Sequence, residues 1–342
     1  MRVFFISGPK KNVVNGYWLY DKLKEDFQNV FPFYIRKDNA DSSMKRLFNQ
    51  LKIIFIVLFK AKSDDKIIVY DNDTTGLYIA LALSFFRPHL IVYKINAMAN
   101  SSSKLYSPLK RFFVRRAYKR IFTTVNNQDI ADLYSKFLNL PMAHFIPIPD
   151  SISDFGKDIE TLKDTKEQGY IFMGGATHRD YALFVDVARS LPQYQFVAVT
   201  FEQYKSSFKD APSNVQVYYG LSEMDFYQKI ANCNIVFIPL NNDMQGGQLV
   251  VMQGALLHKP IITTETVAVH TYFDRNTAYL MPIGDKAGSI NIIQELMGNS
   301  ILRKAMGDKA YRQIAKFTVD SIYEQYKKKL FVITPDNNGV NK

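Results

Sequence analysis

Short apolar runs alternate with segments of helical periodicity along this chain, and the alternation occurs twice. In the first half, the runs that predict strands lie at 3–6, 66–70, 90–93, 122–125 and 144–148. The segments that predict helices lie at 17–27, 45–62, 76–86, 105–121 and 127–137. Parallel strands need a crossover between them, usually a helix, so this alternation predicts a parallel sheet with helices on both faces.

The alternation restarts after a polar, charged stretch at 151–168. The second set of predicted strands lies at 170–173, 195–200, 215–218, 235–239 and 261–264, and the segment 301–330 has a helical pattern. A polar stretch of this kind is typical of a linker between domains. A length of 342 residues also suits two domains of ordinary size. The sequence therefore predicts two doubly wound α/β domains with a cleft between them.

The charge balance narrows the class of partner. The chain carries 43 basic and 32 acidic residues, a formal net charge of +11. This excess favours a polyanionic partner, which could be nucleic acid, an anionic membrane or a phosphorylated substrate. The single cysteine, Cys233, excludes an internal disulfide and a cysteine-based zinc site. The N-terminal apolar run is too short for a signal peptide, and no stretch is long enough to span a membrane, so we expect a cytoplasmic protein.

A glycine-bearing loop leads into a predicted helix at 245–264, where the sequence is QGGQLVVMQGALLHKPIITT. A glycine loop at a helix N-terminus presents unpaired N–H groups and the positive end of the helix dipole to an anion. A second loop, FMGGATHRDY at 172–181, follows a strand. Its glycines allow close approach of a ligand, and Arg179 can bind a diphosphate through two donors. The alternative is an ordinary strand-to-helix turn capped by Asp180.

The two segments together resemble the donor-binding motifs of family 4 glycosyltransferases, which have the GT-B fold. In that family an acidic residue precedes a glycine-rich turn, and a second acidic residue precedes Gly-Lys-Pro-Val-Ile. Here amides replace both acids, at Gln245 and Gln253, and His258 replaces the glycine before Lys-Pro. In the other motif, Gly-Gly-x-x-Asn-Arg-Asp-Tyr, His178 takes the place of the asparagine.

The resemblance implies two Rossmann-like domains facing across a cleft. Residues 1–155 would bind the acceptor, 165–315 would bind the donor, and a terminal helix at 316–334 would cross back to the first domain. It also implies transfer of a hexose, with retention, from a nucleotide-diphosphate sugar to an acceptor hydroxyl. Neither a cofactor nor a metal ion is expected, because enzymes of this fold generally lack the metal-binding motif of other glycosyltransferases.

The resemblance further assigns roles by position. Gln253 would face the ribose, Gln245 would lie near the sugar, and Arg179 with Gln245 would form the catalytic pair. The implied donor-binding residues are Gly174, Gly175, His178, Arg179, Gln245, Gly246, Gly247, Gln248, Leu249 and Gln253. Glutamine donates and accepts hydrogen bonds but carries no charge, and hydrogen bonds to an ionised group are about twice as strong as neutral ones. Weaker donor binding, a different donor and loss of activity are all compatible with the amide pair.

The acceptor is expected at the first domain, beside loops that follow two of its strands. Asn15 and Gly16 belong to the loop after the first strand, where a doubly wound sheet opens its crevice. Asp71 and Asp73 follow another strand and suit contacts to acceptor hydroxyls. The alternatives are a solvated loop for the first segment and a capped turn for the second. Two nearby carboxylates are also compatible with a metal ion.

A basic segment between residues 104 and 120 contains seven Lys or Arg and no acid. On the predicted helix, Arg111, Arg115 and Lys119 share one face, which suits an anionic bilayer. A solvated basic face and a nucleic-acid surface are the alternatives, but no nucleic-acid recognition motif accompanies the charge. The apolar helix at 53–59 is expected to be buried under the sheet, with shallow membrane insertion as the alternative.

These observations predict a peripheral enzyme on the inner face of the cell membrane. It would transfer a sugar to a lipid-linked or glycan acceptor in capsule, lipopolysaccharide or other polysaccharide synthesis. Two other functions remain open at this point. One is a nucleotide-sugar epimerase of the same fold, and the other is a non-catalytic nucleotide-binding partner subunit, which the Gln245 and Gln253 pair makes credible.

Overall fold

The computed structural model of the protein describes residues 1–7, 17–35, 42–70, 75–95, 108–152, 161–162, 167–242 and 246–333. The chain divides into two compact units. The first comprises Met1–Asp154 and Val319–Lys342, and the second comprises Phe155–Thr318.

The first unit contains a parallel sheet in the order β2-β1-β3-β4-β5-β6. Its strands are β1 (Val3–Ser7), β2 (Val30–Tyr34), β3 (Lys66–Tyr70), β4 (Val92–Ile95), β5 (Ile121–Val125) and β6 (Phe145–Pro147). Its helices are α1 (Tyr17–Asp26), α2 (Ser43–Lys60), α3 (Thr75–Phe86), α4 (Pro108–Tyr118) and α5 (Gln128–Leu138). The inner faces of α2 and α3 bury Ile53, Val57 and Leu83 against the apolar side chains of β1 and β3.

The second unit contains a parallel sheet in the order β12-β11-β10-β7-β8-β9. Its strands are β7 (Tyr170–Gly174), β8 (Gln195–Thr200), β9 (Val215–Tyr219), β10 (Ile235–Ile238), β11 (Ile261–Thr264) and β12 (Tyr279–Met281). Its helices are α6 (Tyr181–Ser190), α7 (Glu223–Asn232), α8 (Gln248–Leu256), α9 (Lys286–Gly298) and α10 (Ser300–Ile314).

The last described segment belongs to the first unit. It consists of α11 (Val319–Gln325) and a π-helical turn over Tyr326–Leu330. Buried Lys66 Nζ donates a hydrogen bond of 2.7 Å to the Phe331 carbonyl, and the Tyr93 hydroxyl donates one of 2.5 Å to the Ile333 carbonyl. The segment 301–330, which was predicted to be helical, forms the end helix of the second unit, α11 and the π-helical turn. The helix is interrupted after Ile314 because the chain leaves the second unit at Thr318.

Two strands were not predicted, and one predicted helix is too long. Both strands lie at sheet edges. Strand β2 is partly exposed and contains Pro32, so it has no buried apolar run, and β12 is only three residues long. Helix α4 ends at Tyr118, because Ile121 already pairs with Val92 in the sheet. Lys119 directly follows the helix, and its N–H still donates to the Arg115 carbonyl at 3.2 Å, so it lies in the final turn. The common face of Arg111, Arg115 and Lys119 stays a prediction.

The turn before Lys259 explains how His258 replaces glycine. Its backbone is left-handed, with φ of 55°, a conformation that favours glycine. His258 Nδ1 lies 2.7 Å from Asp308 Oδ1, and its ring stacks on Tyr311 with centroids 4.0 Å apart. Gly307 of α10 passes so close that an added Cβ would overlap the His258 carbonyl oxygen. Three contacts from α10 thus hold a strained residue in place.

We expect Gly307→Ala to destabilise the protein by about 1–3 kcal/mol, because the new methyl group has to displace backbone atoms of the 258–259 turn. Urea or thermal unfolding measures the change. Gly298→Ala is the matched control, since a Cβ there meets open space and alanine is the better helix former. Equal stabilities for the two variants would contradict the close packing of α10 on this turn.

Candidate functional site

Two loops of the second unit begin at the same edge of the sheet. Strands β7 and β10 are parallel neighbours, and the chain continues from β7 to β8 on one side and from β10 to β11 on the other. This is the switch point of a doubly wound sheet, where such folds bind ligands beyond the carboxyl ends of the strands. The first loop, 175–180, belongs to the motif segment 172–181, and the second, 239–247, leads into the motif segment 245–264.

Backbone hydrogen bonds join these loops to each other. Asp180 N donates to the Pro239 carbonyl at 2.9 Å, and Asn241 N donates to the His178 carbonyl at 3.0 Å. From β11, Thr264 Oγ1 accepts a 2.7 Å hydrogen bond from Leu240 N. Asp180 also caps α6, because its side chain accepts from Leu183 N at 2.9 Å. The capped turn is therefore present, and it does not exclude a ligand at the same loop, because the cap uses only the Asp180 side chain.

Glycine is required at two positions in these loops. Gly175 and Gly247 have φ of 88° and 78°, which other residues rarely adopt. An added Cβ at Gly175 would lie 2.5 Å from Arg179 Nη2, and one at Gly247 would lie 3.3 Å from Arg179 Nη1. The guanidinium of Arg179 therefore contacts both glycine turns.

Arg179 is 6% exposed and is held by backbone carbonyls. Its Nε donates to the Gly174 carbonyl at 2.6 Å, and its Nη1 donates to the Thr177 carbonyl at 2.8 Å. Burial lowers the pKa of the guanidinium to about 10, so the group remains charged at neutral pH. Among the described residues no carboxylate forms an ion pair with it. A buried cation without a counter-ion is costly, and an anionic ligand would supply the missing partner.

Helix α8 begins directly after Gly247, so its N-terminal N–H groups lie at the same switch point. Two glutamines of this helix have unpaired acceptors. The Oε1 atoms of Gln248 and Gln253 are buried and have no hydrogen-bond partner among the described residues. Gln253 is only 6% exposed. Because an unpaired buried acceptor is destabilising, these atoms fit a ligand that donates hydrogen bonds, such as one with hydroxyl groups.

Other side chains support the loops. His178 has a left-handed backbone, with φ of 58°, and its Nδ1 accepts from Asn242 Nδ2 at 2.8 Å. The hydroxyl of Tyr181 donates to the Gly175 carbonyl at 3.1 Å and lies 2.8 Å from Thr200 Oγ1. Burial raises the pKa of Tyr181, which keeps the hydroxyl protonated. Sequence reasoning gave Tyr181 and Thr200 no role. The only sequence signal for this pair was the tyrosine in the Arg-Asp-Tyr motif.

Several predicted site residues lie outside the described part of the chain. They are Gln245, Asn15, Gly16, Asp71 and Asp73. The strands before the last four, β1 and β3, are parallel neighbours at the switch point of the first sheet. The described residues contain no group of three or more His, Cys, Asp or Glu that could hold a metal ion.

The residues predicted to contact the membrane differ in their exposure to solvent. Arg115 is partly buried, and its Nη2 donates to the Asn139 carbonyl at 3.3 Å. Lys119 is exposed, and the side chain of Arg111 lies outside the described part of the structure. At Leu249, a predicted donor-binding residue, the side chain is exposed at the start of α8.

Solved structures resemble the whole chain. Anabaena HepE in complex with UDP-glucose gives a TM-score of 0.72 at 14% identity, over 97% of this chain and 100% of that one. Sucrose-phosphate synthase from Thermosynechococcus elongatus gives 0.69 at 13% identity, over 97% and 100%. WaaG, a glycosyltransferase involved in lipopolysaccharide biosynthesis, gives 0.66 at 12% identity, over 96% and 99%. The chain has the GT-B fold.

The predicted GT-B fold is therefore confirmed. No protein-family model matches the sequence, and no curated protein matches it. A GT-B fold does not by itself determine activity, which depends on the groups at the site.

The unpaired acceptor of Gln253 leads to a stability prediction. We expect Gln253→Met to stabilise the ligand-free protein by about 1 kcal/mol, because it removes a buried, unpaired carbonyl at nearly constant volume. Gln50→Met is the matched control. Gln50 is equally buried, but its Nε2 donates to Thr75 Oγ1 at 2.9 Å, so the same change there should destabilise. Urea unfolding compares the stabilities of the two variants. Equal losses of stability would show that the Gln253 side chain is paired in the folded protein.

Proposed function

We propose that this protein is a glycosyltransferase that uses a nucleotide-diphosphate sugar as donor. The observation that carries the proposal is the buried charge of Arg179, which no carboxylate of the described residues pairs, between two glycine turns at a switch point. A diphosphate matches that charge, the adjacent helix N-terminus and the close backbone approach that the glycines allow. The HepE structure is named as a complex with UDP-glucose, a donor of this chemical class.

The proposed chemistry depends on stabilising the leaving group. The bond between the anomeric carbon and the diphosphate oxygen breaks, the acceptor oxygen forms the new glycosidic bond, and its proton passes to the departing diphosphate. Negative charge grows on the diphosphate as it leaves, so Arg179 and the N–H groups at the start of α8 lower the barrier. The unpaired Oε1 of Gln253 suits a ribose hydroxyl, and Gln245 is assigned to the sugar. Retention, a hexosyl donor and the absence of a cofactor or metal ion belong to this proposal.

The acceptor is proposed to be a lipid-linked or membrane-associated glycan. Asn15, Gly16, Asp71 and Asp73 are assigned to it because they follow strands at the first sheet's switch point. The basic residues of and after α4 favour the anionic inner face of the cell membrane over nucleic acid. WaaG, which has the same fold, is named as an enzyme of lipopolysaccharide biosynthesis, and we place this protein in cell-surface polysaccharide synthesis.

Two other functions are compatible with the same site. An epimerase of the same fold would use the same donor site without an acceptor. A non-catalytic nucleotide-binding subunit is compatible with Gln253, which supplies no charge where the family it resembles has an acid. Analysis of the products with and without acceptor separates the first of these from a transferase.

Calorimetry with a panel of nucleotide diphosphates and nucleotide sugars tests the donor site. We expect selective binding of one nucleotide, and Arg179→Ala should weaken it by about 10- to 150-fold, the range for a lost hydrogen bond to a charged group. Arg179→Lys should lose less, since it keeps the charge without the planar fork. Arg189→Ala is the control, because that arginine is exposed and its contacts, with Asp186 and the Asp210 carbonyl, do not involve the two loops. Unchanged affinity in folded Arg179→Ala would exclude the assignment.

Restoring the acids separates an active site from an inactive one. If the amides are the working groups, Gln245→Glu and Gln253→Glu should each lower turnover of the donor selected above. A carboxylate at 253 would also be buried without a cation, so its folding needs a parallel thermal melt. Increased turnover in the double variant would instead identify a non-catalytic subunit descended from an enzyme.

A further inference from the structure

Helix α2 has an apolar face that the structure leaves exposed. The side chains of this outer stripe are 47% to 80% exposed, and they are Met44, Leu47, Phe48, Leu51, Phe55 and Phe59. Five of them recur at spacings of three or four residues, so they lie along one side of the helix. The rings of Phe55 and Phe59 stack on each other with centroids 6.1 Å apart.

The opposite side of α2 is apolar as well. Ile53 and Val57 are buried in the core of the first unit. An ordinary surface helix has one apolar stripe and a polar outer face. Here the expectation that 53–59 is buried holds for Ile53 and Val57 and is wrong for Phe55 and Phe59. The stripe runs from Met44 to Phe59, so it extends over about 23 Å of the helix.

The neighbouring helices extend this apolar surface. Helix α3 packs beside α2, and α4 packs beside α3. Phe85 and Phe86 at the end of α3 and Phe112 of α4 are exposed. The guanidinium of Arg116 lies 4.1 Å from the ring centroid of Phe85, so cations and aromatic rings are interleaved there. Contiguous exposed apolar patches of this kind mark interaction sites.

The charge of the three helices indicates which kind of partner would cover this apolar surface. Their sequences contain eight Lys or Arg and no Asp or Glu. Two copies of the chain meeting through this surface would bring like charges together, which opposes a dimer. An anionic bilayer matches both properties, because its headgroups attract the cations and its acyl region accepts the aromatic side chains. Among the described residues, no helix is long and apolar enough to cross a membrane.

We propose that α2 lies in the headgroup region of an anionic bilayer with Phe48, Phe55 and Phe59 inserted, and that the exposed aromatic residues of α3 and α4 lie beside it. This inference rests on the proposed membrane-associated acceptor and makes it more specific. The sequence placed the contact on the basic helix, whereas the exposed side chains place the inserted element on α2. Membrane binding would then combine apolar insertion with charge.

Vesicle sedimentation tests the inference. We expect the full-length protein to bind vesicles of phosphatidylcholine with 30% phosphatidylglycerol better than phosphatidylcholine alone. At 1 M salt the screening length is only about 3 Å, so the binding that remains reports apolar insertion. Replacing Phe48, Phe55 and Phe59 by Ser should lower the partition coefficient about 100-fold. The matched control replaces three exposed apolar residues of the second unit, Phe201, Ile283 and Ile301, by Ser and should bind as wild type.

A second variant reports insertion without removing the stripe. Brominated lipids should quench the tryptophan fluorescence of Phe55→Trp more than they quench that of the wild type, whose only tryptophan is Trp18.

Calorimetry of nucleotide binding keeps the two proposals separate. Vesicle binding without nucleotide binding would overturn the proposed function alone, and nucleotide binding without vesicle binding would overturn this inference alone. A dimer in solution that the triple variant converts to a monomer would also overturn it, since the stripe would then join two copies.

Discussion

The buried guanidinium of Arg179 is the interaction on which the second unit's loops depend. Its donors hold the carbonyls of Gly174 and Thr177, and its Nη atoms fill the space that side chains at Gly175 and Gly247 would need. Both glycines have positive φ, so they suit these turns in two ways: the backbone conformation favours glycine, and the guanidinium leaves little space for a side chain. The cation has no carboxylate partner among the described residues. The group that orders the loops is therefore also the one to which we assign the donor diphosphate.

Much of the fold was predictable because central strands of a parallel sheet are buried on both faces. Strands such as β1 and β10 are continuous apolar runs that a sequence shows directly. Strand β2 is partly exposed and β12 has only three residues, so both give a weaker signal. The end of α4 also depends on a distant partner, because Ile121 is taken into the sheet by Val92. Local periodicity carries no information about such a partner.

The candidate site also has a part that the sequence predicts and a part that it does not. The glycines, Arg179 and the helix start could be found from their order along the chain, since loops after neighbouring parallel strands meet at one edge. The supporting contacts could not, because they join residues far apart in sequence. Thr264 fixes Leu240, and Asp308 holds His258 in a conformation that its own residue type disfavours. The unpaired oxygen of Gln253 is visible only after every neighbour is placed.

Helix α2 shows why periodicity alone misjudged one surface. A helix that is apolar on most sides is usually interpreted as buried, and the sheet does bury Ile53 and Val57. One flat sheet can cover only one side of a cylinder, however, so the apolar residues on the other side remain in contact with solvent unless something else covers them. No acid occurs in α2, α3 or α4. The surplus of apolar residues over what the sheet can bury, together with that charge bias, is therefore what distinguishes a membrane-facing helix from an ordinary core helix.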